Sequence, residues 1–364
     1  IARGSEEWKK YQAQLKLVNA EIRKVNDEIK ESEGWLTRFN NGFAKWGALA
    51  ASGIAAITGI SMTLNKMRKD RDDKEASAAN LKALTGLDDV SIQWLARQAE
   101  ILSTSMHKSG LRVTQSSKEI LEAYMLVGSA KPDLLGNKEA LNAVTIEAMR
   151  LSKAAKMDLK EAVDAVTLSM NQYGASSEKA ADYANVMAAG SKYGSAAVQS
   201  ITAAVTKAGV SASTANVPIE QLVGSIETLA EKGIVNEVAG TGLKMFFLRL
   251  QTGADETNPK IVGLQTALKN LQKLSTGEIV KRFGAETYTV AQTLIDGADK
   301  VEYYTKAVTG TNVAMEQAAI NSETNEARLA QLKNKIRETG IELMEKLNPS
   351  LNMLTGWTTK LLSM

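Results

Sequence analysis

The chain has 364 residues, with 44 Lys and Arg against 41 Asp and Glu, a formal net charge of +3. So even a balance excludes the strongly basic surface that neutralises a phosphate backbone, and no specific nucleic-acid binding is expected. Cys is absent and His107 is the only histidine, which excludes a disulfide framework, a thiol nucleophile and a His-rich metal site.

Aromatic residues make up 5% and Pro occurs 4 times, so little in the composition opposes helix. The expected fold class is all-α. It comprises an N-terminal coiled-coil-like helix and a small-residue apolar helix, then a compact multi-helix array and a C-terminal long amphipathic helix. Ile1 in place of an initiator Met is what a fragment or processed product would show.

Residues 1–45 read as the coiled-coil-like helix. Trp8, Tyr11, Leu15, Val18, Ile22, Val25 and Ile29 recur at alternating steps of three and four. With Trp8, Leu15, Ile22 and Ile29 at position a, Val18 and Val25 occupy d, where β-branched residues suit trimers or higher states. The register continues through Ser32 to Leu36, Phe39, Phe43 and Trp46.

Residues 46–75 begin with "WGALAASGIAAITGISMTL", part of a charge-free run between Lys45 and Lys66. Its length would span a bilayer, yet Ala, Gly, Ser and Thr gain little from lipid. Gly47, Ala51, Ala55, Gly59 and Thr63 recur every fourth residue and form one small-residue ridge, expected to serve as a helix-packing or membrane face. The mixed charges that follow, from Lys69 to Glu75, read as a solvated helix face.

Residues 76–310 change to short helices punctuated by Gly. The pattern predicts helices near 88–107, 115–128, 138–156, 159–173, 177–191, 195–208, 218–232, 240–251, 259–274, 277–283 and 287–308. Ser116 with Glu119 and Asp158 with Glu161 have capping-box spacing. Gly128, Gly174, Gly194, Gly209 and Gly233 stand where helices should stop, Pro218 and Pro259 open apolar-periodic runs, and Pro132 follows a Gly-Ser-Ala-Lys turn. Residues 311–364 read as a long helix with Leu329, Leu332, Ile336, Leu343 and Leu347 on one face, then a bend at Pro349 into the short amphipathic helix "SLNMLTGWTTKLL".

Chemistry is hard to find. "AGTGLKMF" at 239–246 lacks phosphate-loop spacing and reads as a glycine turn entering a helix. Glu323 and Glu326 suit an exposed helix face better than a glycosidase pair. No catalytic residue, cofactor or metal is expected.

Resemblance says more. The tract "AAKMDLKEAVDAVTLSMNQYGASSEKAADYANVMAAGSKYGSAAVQSITAAVTKAGVSAS" and the following "PIEQLVGSIETLAEKGIVNEVAGTGLKMFFLRL" resemble the core domain of phage tail tape-measure proteins. The ordered pieces are the turn at Asn171 through Gly174, the Gly209 turn, and Ala239 through Lys244 with Leu250. "LKALTGLDDVSIQWLARQAEILSTS" resembles the entry into that core and "LAQLKNKIRETGIELMEKLNPSLNMLTGWTTKLL" its closing helices. The connection "GSAKPDLLGNKEA" at 128–140 is longer than the family pattern. The resemblance covers roughly residues 76–364.

It implies a structural protein of the virion tail lumen, assembled in the bacterial host cytoplasm, that sets tail length and takes part in DNA delivery. Implied partners are the tail tube and tail-tip proteins, tail assembly chaperones, further copies of itself and, on ejection, the host membrane. The alternative is a membrane-active helical effector or pore-forming protein that inserts through residues 46–64.

If the Trp8–Ile29 seam drives association, replacing Ile22 and Val25 with Asp places charges in it and dissociates the oligomer. Light scattering on the two proteins checks this; an unmutated chain that is already monomeric contradicts it.

Overall fold

In a computed structural model the described residues, 54–362, form fifteen α-helices and no strand. The Trp8–Ile29 seam, Gly47 and Ala51 lie outside the described residues. In chain order the helices are α1 Ile54–Thr85, α2 Asp89–Thr104, α3 Ser117–Ala130, α4 Lys138–Ala155 and α5 Leu159–Tyr173. They continue with α6 Ala180–Tyr193, α7 Val198–Thr214, α8 Ile219–Ala230, α9 Asn236–Gln251 and α10 Pro259–Val262. The last are α11 Leu264–Leu271, α12 Thr276–Asp296, α13 Ala298–Val308, α14 Val313–Ser322 and α15 Asn325–Leu362. Contacts divide the chain into two units, the larger being Asp72–Thr339.

Local chemistry explains many of the boundaries. Ser116 and Glu119 form a reciprocal capping box at α3, and Ser275 with Glu278 forms a second one at α12 that the sequence reading passed over. Asp158 caps α5 by accepting from the Lys160 N–H at 2.8 Å, and no reciprocal bond from Glu161 accompanies it. Gly174 ends α5 in the left-handed region at φ 59.

Several expected boundaries move. The helix expected at 259–274 is divided at Gly263, and the two expected at 277–283 and 287–308 are redistributed. Thr276–Asp296 runs on across a kink at Gly284, with φ 73, and the chain breaks again at Gly297 before α13. Gly128 and Gly209 lie inside α3 and α7 instead of ending them. At Gly209 the reason is space, because a Cβ there would overlap Gln172 Oε1, and the Gln172 Nε2 donates to Thr206 O across the same crossing at 3.1 Å.

The core of the larger unit is built on close helix crossings filled by a few large rings. Phe246 of α9 stacks on Phe283 of α12 with 5.0 Å between centroids and meets Phe247 edge-on at 5.7 Å. Tyr124 is fully buried in α3 and donates its hydroxyl to Asn142 Oδ1 at 2.7 Å. At Gly240 the backbone of α9 comes so close to α7 that a Cβ would stand 2.5 Å from Ala204 O. The helix expected to begin near 240 after a glycine turn begins already at Asn236, so residues 239–246 are helix interior, and their glycines allow α9 to touch α7 at Gly240 and Val290 of α12 at Gly242.

The C-terminal part differs most. One long helix expected from 311 is two, broken at Glu323 and Thr324, where Thr324 Oγ1 accepts from the Ala327 N–H at 3.2 Å. Conversely, α15 continues through Pro349 to Leu362, so the expected separate short helix does not form. A proline inside a helix forfeits one ladder bond, a loss that the remaining ladder of a 38-residue helix absorbs here.

The buried face of α15 in the larger unit is polar. Ala327, Gln331, Asn334 and Glu338 are buried, whereas Leu329 and Ile336 are 37% and 46% exposed. Asn334 Nδ2 donates to the carbonyls of Gln115 at 2.8 Å and Thr114 at 3.2 Å. Glu338 pairs with Lys74 of α1 at 2.7 Å and accepts from the Ser117 hydroxyl. Asp73 pairs with Lys118 at 3.4 Å, so the charge run of α1 is partly docked and not wholly solvated as expected.

In the smaller unit Gly340 lies against Met67, where an added Cβ would be 3.0 Å from Met67 Cγ. Ala55, Gly59 and Thr63 lie on the described backbone of α1. No helix among the described residues is long and apolar enough to cross a membrane.

Gly240→Val should destabilise the larger unit by roughly 2–4 kcal/mol, since neither backbone at that crossing can recede cheaply. Gly277→Ala, in open space in the first turn of α12, should stabilise by about 0.5 kcal/mol. Urea unfolding of both variants measures the contrast.

Candidate functional site

A cleft of about 410 Å³ opens beside the connection between α2 and α3, the end of α4 and the junction of α14 with α15; Arg112, Met149, Lys153, Lys156 and Glu326 contribute to its lining. Local hydrogen bonds hold its walls. Lys156 closes α4 in the left-handed region, and the Ser152 hydroxyl donates to Met157 O at 2.8 Å. Asn321 Nδ2 donates to the carbonyls of Lys153 at 2.9 Å and Ala154 at 3.2 Å, satisfying the end of α4. The Arg112 N–H donates to Ser322 Oγ at 2.9 Å and its guanidinium donates to Gln331 Oε1.

Arg112, Lys153 and Lys156 bring cationic groups to the lining of the cleft. Burial pushes the Arg112 guanidinium down from its ordinary range; repulsion from Arg328 adds to that shift and Glu323 partly offsets it. Burial likewise lowers Lys153, and Glu326 opposes that shift. Glu323 and Glu326 are both exposed, as the sequence suggested.

His107 has a structural setting. Its Nδ1 lies 2.8 Å from the Ser109 hydroxyl and accepts from the Ser109 N–H at 3.3 Å, and burial followed by Arg150 and Lys108 holds its pKa below the usual imidazole value. Arg150, buried, pairs with Glu147 at 2.5 Å and donates to Ser109 Oγ at 3.2 Å, so the same group of side chains pins the connection before α3. Among the described residues no group of three or more His, Asp or Glu side chains could hold a metal ion.

The residue that sequence reasoning missed is Glu227. In "SIETLAEK" it looks like one more surface glutamate, but it is fully buried on α8. Its Oε2 accepts from the Ser195 N–H at 2.6 Å and the Ala196 N–H at 2.9 Å, tying α8 to the turn between α6 and α7. Room for it comes from glycine: a Cβ on Gly194 would overlap Oε2, and one on Gly190 would be 3.3 Å from Oε1. Its Oε1 has no hydrogen-bond partner. Burial raises the carboxyl to about 7, against the pull of the two backbone donors and with Glu231 adding to the rise. Glu231 itself is held below the usual range by Lys300 and Tyr304.

The Asn171–Gly174 turn is also a structural joint, with Asn171 Nδ2 donating to Ala130 O at 2.7 Å and Oδ1 accepting from Lys131 Nζ at 3.3 Å. Polar side chains in this unit thus serve mainly to join helix ends.

Residues 98–323 match the phage-related minor tail protein family, more than half of the chain, and the chain belongs to that family. No curated protein matches, and no solved structure does.

Glu227 gives a pH dependence with a definite sign. Its folded pKa of about 7 lies above the ordinary 4.5, so the folded state binds more protons between those values and stability falls as pH rises through that window. Glu227→Gln keeps an oxygen for the two N–H groups and removes the buried charge. The variant should gain on the parent as pH rises from about 5 to about 8, by on the order of 3 kcal/mol at most. Urea midpoints at a series of pH values measure the difference; a constant offset would refute the assignment.

Proposed function

We propose that this phage tail protein is the tape-measure component: it occupies the tail lumen, sets tail length during assembly and takes part in DNA delivery. The observation that carries the proposal is the order of a short-helix array between two long helices, α1 of 32 residues and α15 of 38, in a chain of the minor tail family. Order matters as much as content, because the pieces that resemble the tape-measure core follow one another across the same region that matches the family.

On this reading the larger unit is a folded body and not itself the extended ruler. Between Asp89 and Ser322 no helix exceeds the 21 residues of α12, and helices of this length depend on burying one face against neighbours. Length would be set by long uninterrupted helices, while the body would meet tail-tip proteins, tail tube subunits and tail assembly chaperones. The Trp8–Ile29 seam would gather copies, with three as the proposed number. The ridge from Gly47 to Thr63 would serve helix packing in the tube and contact a host membrane on ejection. The role is non-enzymatic.

Tail lengths of a phage carrying in-frame deletions, read by electron microscopy, test this. A helix drawn out along the tube contributes about 1.5 Å per residue, so loss of about 100 extended residues would shorten a tail by roughly 150 Å. Deletions between Leu81 and Val308 should change length by far less than this proportion and impair assembly instead. Shortening at the full helical rise would contradict the folded-body reading, and normal tails from a phage lacking the gene would contradict the tape-measure role.

A further inference from the structure

The inward and outward faces of α15 are the reverse of what its pattern suggests. At about 100° per residue, Ala327, Gln331, Asn334 and Glu338 share one side, and that side is buried. Leu329, Leu332 and Ile336 share the opposite side at a three–four spacing. Leu329 and Ile336 are exposed and Leu332 is half-buried. A helix ordinarily buries its apolar stripe; here the stripe is left for something else.

Charge identifies what fits it. Taking Leu329 and Ile336 as a and Leu332 as d, the positions beside the stripe are Arg328, Lys333 and Lys335, all basic. Lys333 and Lys335 are exposed and carry no ion pair among the described residues. Two such stripes facing each other would oppose like charges, so α15 is poorly suited to pair with its own copy. The matching partner is an amphipathic helix whose stripe is flanked by acids.

The sequence of this chain carries such a pattern. In the register of the Trp8–Ile29 seam the g positions are Glu7, Gln14, Glu21 and Glu28, and the e positions are Gln12, Asn19 and Asn26. Its basic residues Lys9, Lys16, Arg23 and Lys30 fall at b, and Lys10 and Lys24 at c, all away from the stripe. Acids beside one stripe and bases beside the other are complementary in either helix direction, since α15 carries a base at both e and g.

We propose that the Leu329–Leu332–Ile336 face of α15 docks the Trp8–Ile29 segment of a second copy of this chain, so that the seam gathers copies by binding α15 and not by pairing with other seams. The contact joins two different surfaces, so it is head-to-tail, and it closes into a ring when the rotation between copies permits. It specifies how copies associate and does not depend on the tape-measure role, which tail length tests separately.

Sedimentation equilibrium of the full chain over a range of concentrations tests the docking. The unaltered chain should associate in a concentration-dependent way. Leu329→Asp with Ile336→Asp should yield monomers with unchanged helix content by circular dichroism. Lys333→Glu with Lys335→Glu should weaken association about tenfold, and adding Glu21→Lys with Glu28→Lys to that variant should restore it. Unchanged association in the double Asp variant, failure of the charge exchange to restore it, or a monomer at every concentration would each overturn the proposal.

Discussion

Everything in the larger unit follows from one constraint: helices of three to five turns have to bury a face, and their backbones have to come close to do so. Isolated helices of that length are marginal in water. At the α7–α9 crossing Gly240 sits almost on the Ala204 carbonyl, and at the α5–α7 crossing Gly209 leaves room for Gln172. These contacts set the distances at which the side chains around Phe246 and Phe283 fill the interior. A larger residue at Gly240 would force apart two backbones, whereas at Gly209 it would displace the Gln172 amide from Thr206.

Polar joints complete what close packing begins. Glu227 holds the turn before α7, Asn171 bridges α5 to the end of α3, and Asn334 of α15 satisfies carbonyls between α2 and α3. Each commits a buried polar group to a specific connection, which favours one arrangement of helices over others of similar apolar burial. In α15 this has a further consequence. By anchoring through Gln331, Asn334 and Glu338, the helix keeps its apolar stripe outside, available to another helix.

Fold class and most helices were legible because periodicity and caps are local signals; the Ser116–Glu119 box and the Gly174 stop are both where the sequence puts them. What was not legible depends on partners. Glycine reads as a stop signal, yet Gly209 and Gly240 are inside helices because another backbone or side chain passes over them. Gly263, Gly284 and Gly297, which break or kink helices, carry the same letter. Periodicity places Leu329, Leu332 and Ile336 on one face but cannot say which face turns inward. Glu227 is indistinguishable in sequence from its exposed neighbours, and only the paired gaps at Gly190 and Gly194 mark the space it fills.

The central claim is that Asp72–Thr339 is a cooperatively folded body within a phage tail protein. Native-state hydrogen exchange on the full chain measures it most directly. Amides buried in α5, α7, α8 and α9 should exchange slowly and through a common opening, with protection far above that of an isolated helix. Exchange of those helices independently of one another, at rates close to those of short helices in water, would contradict the account.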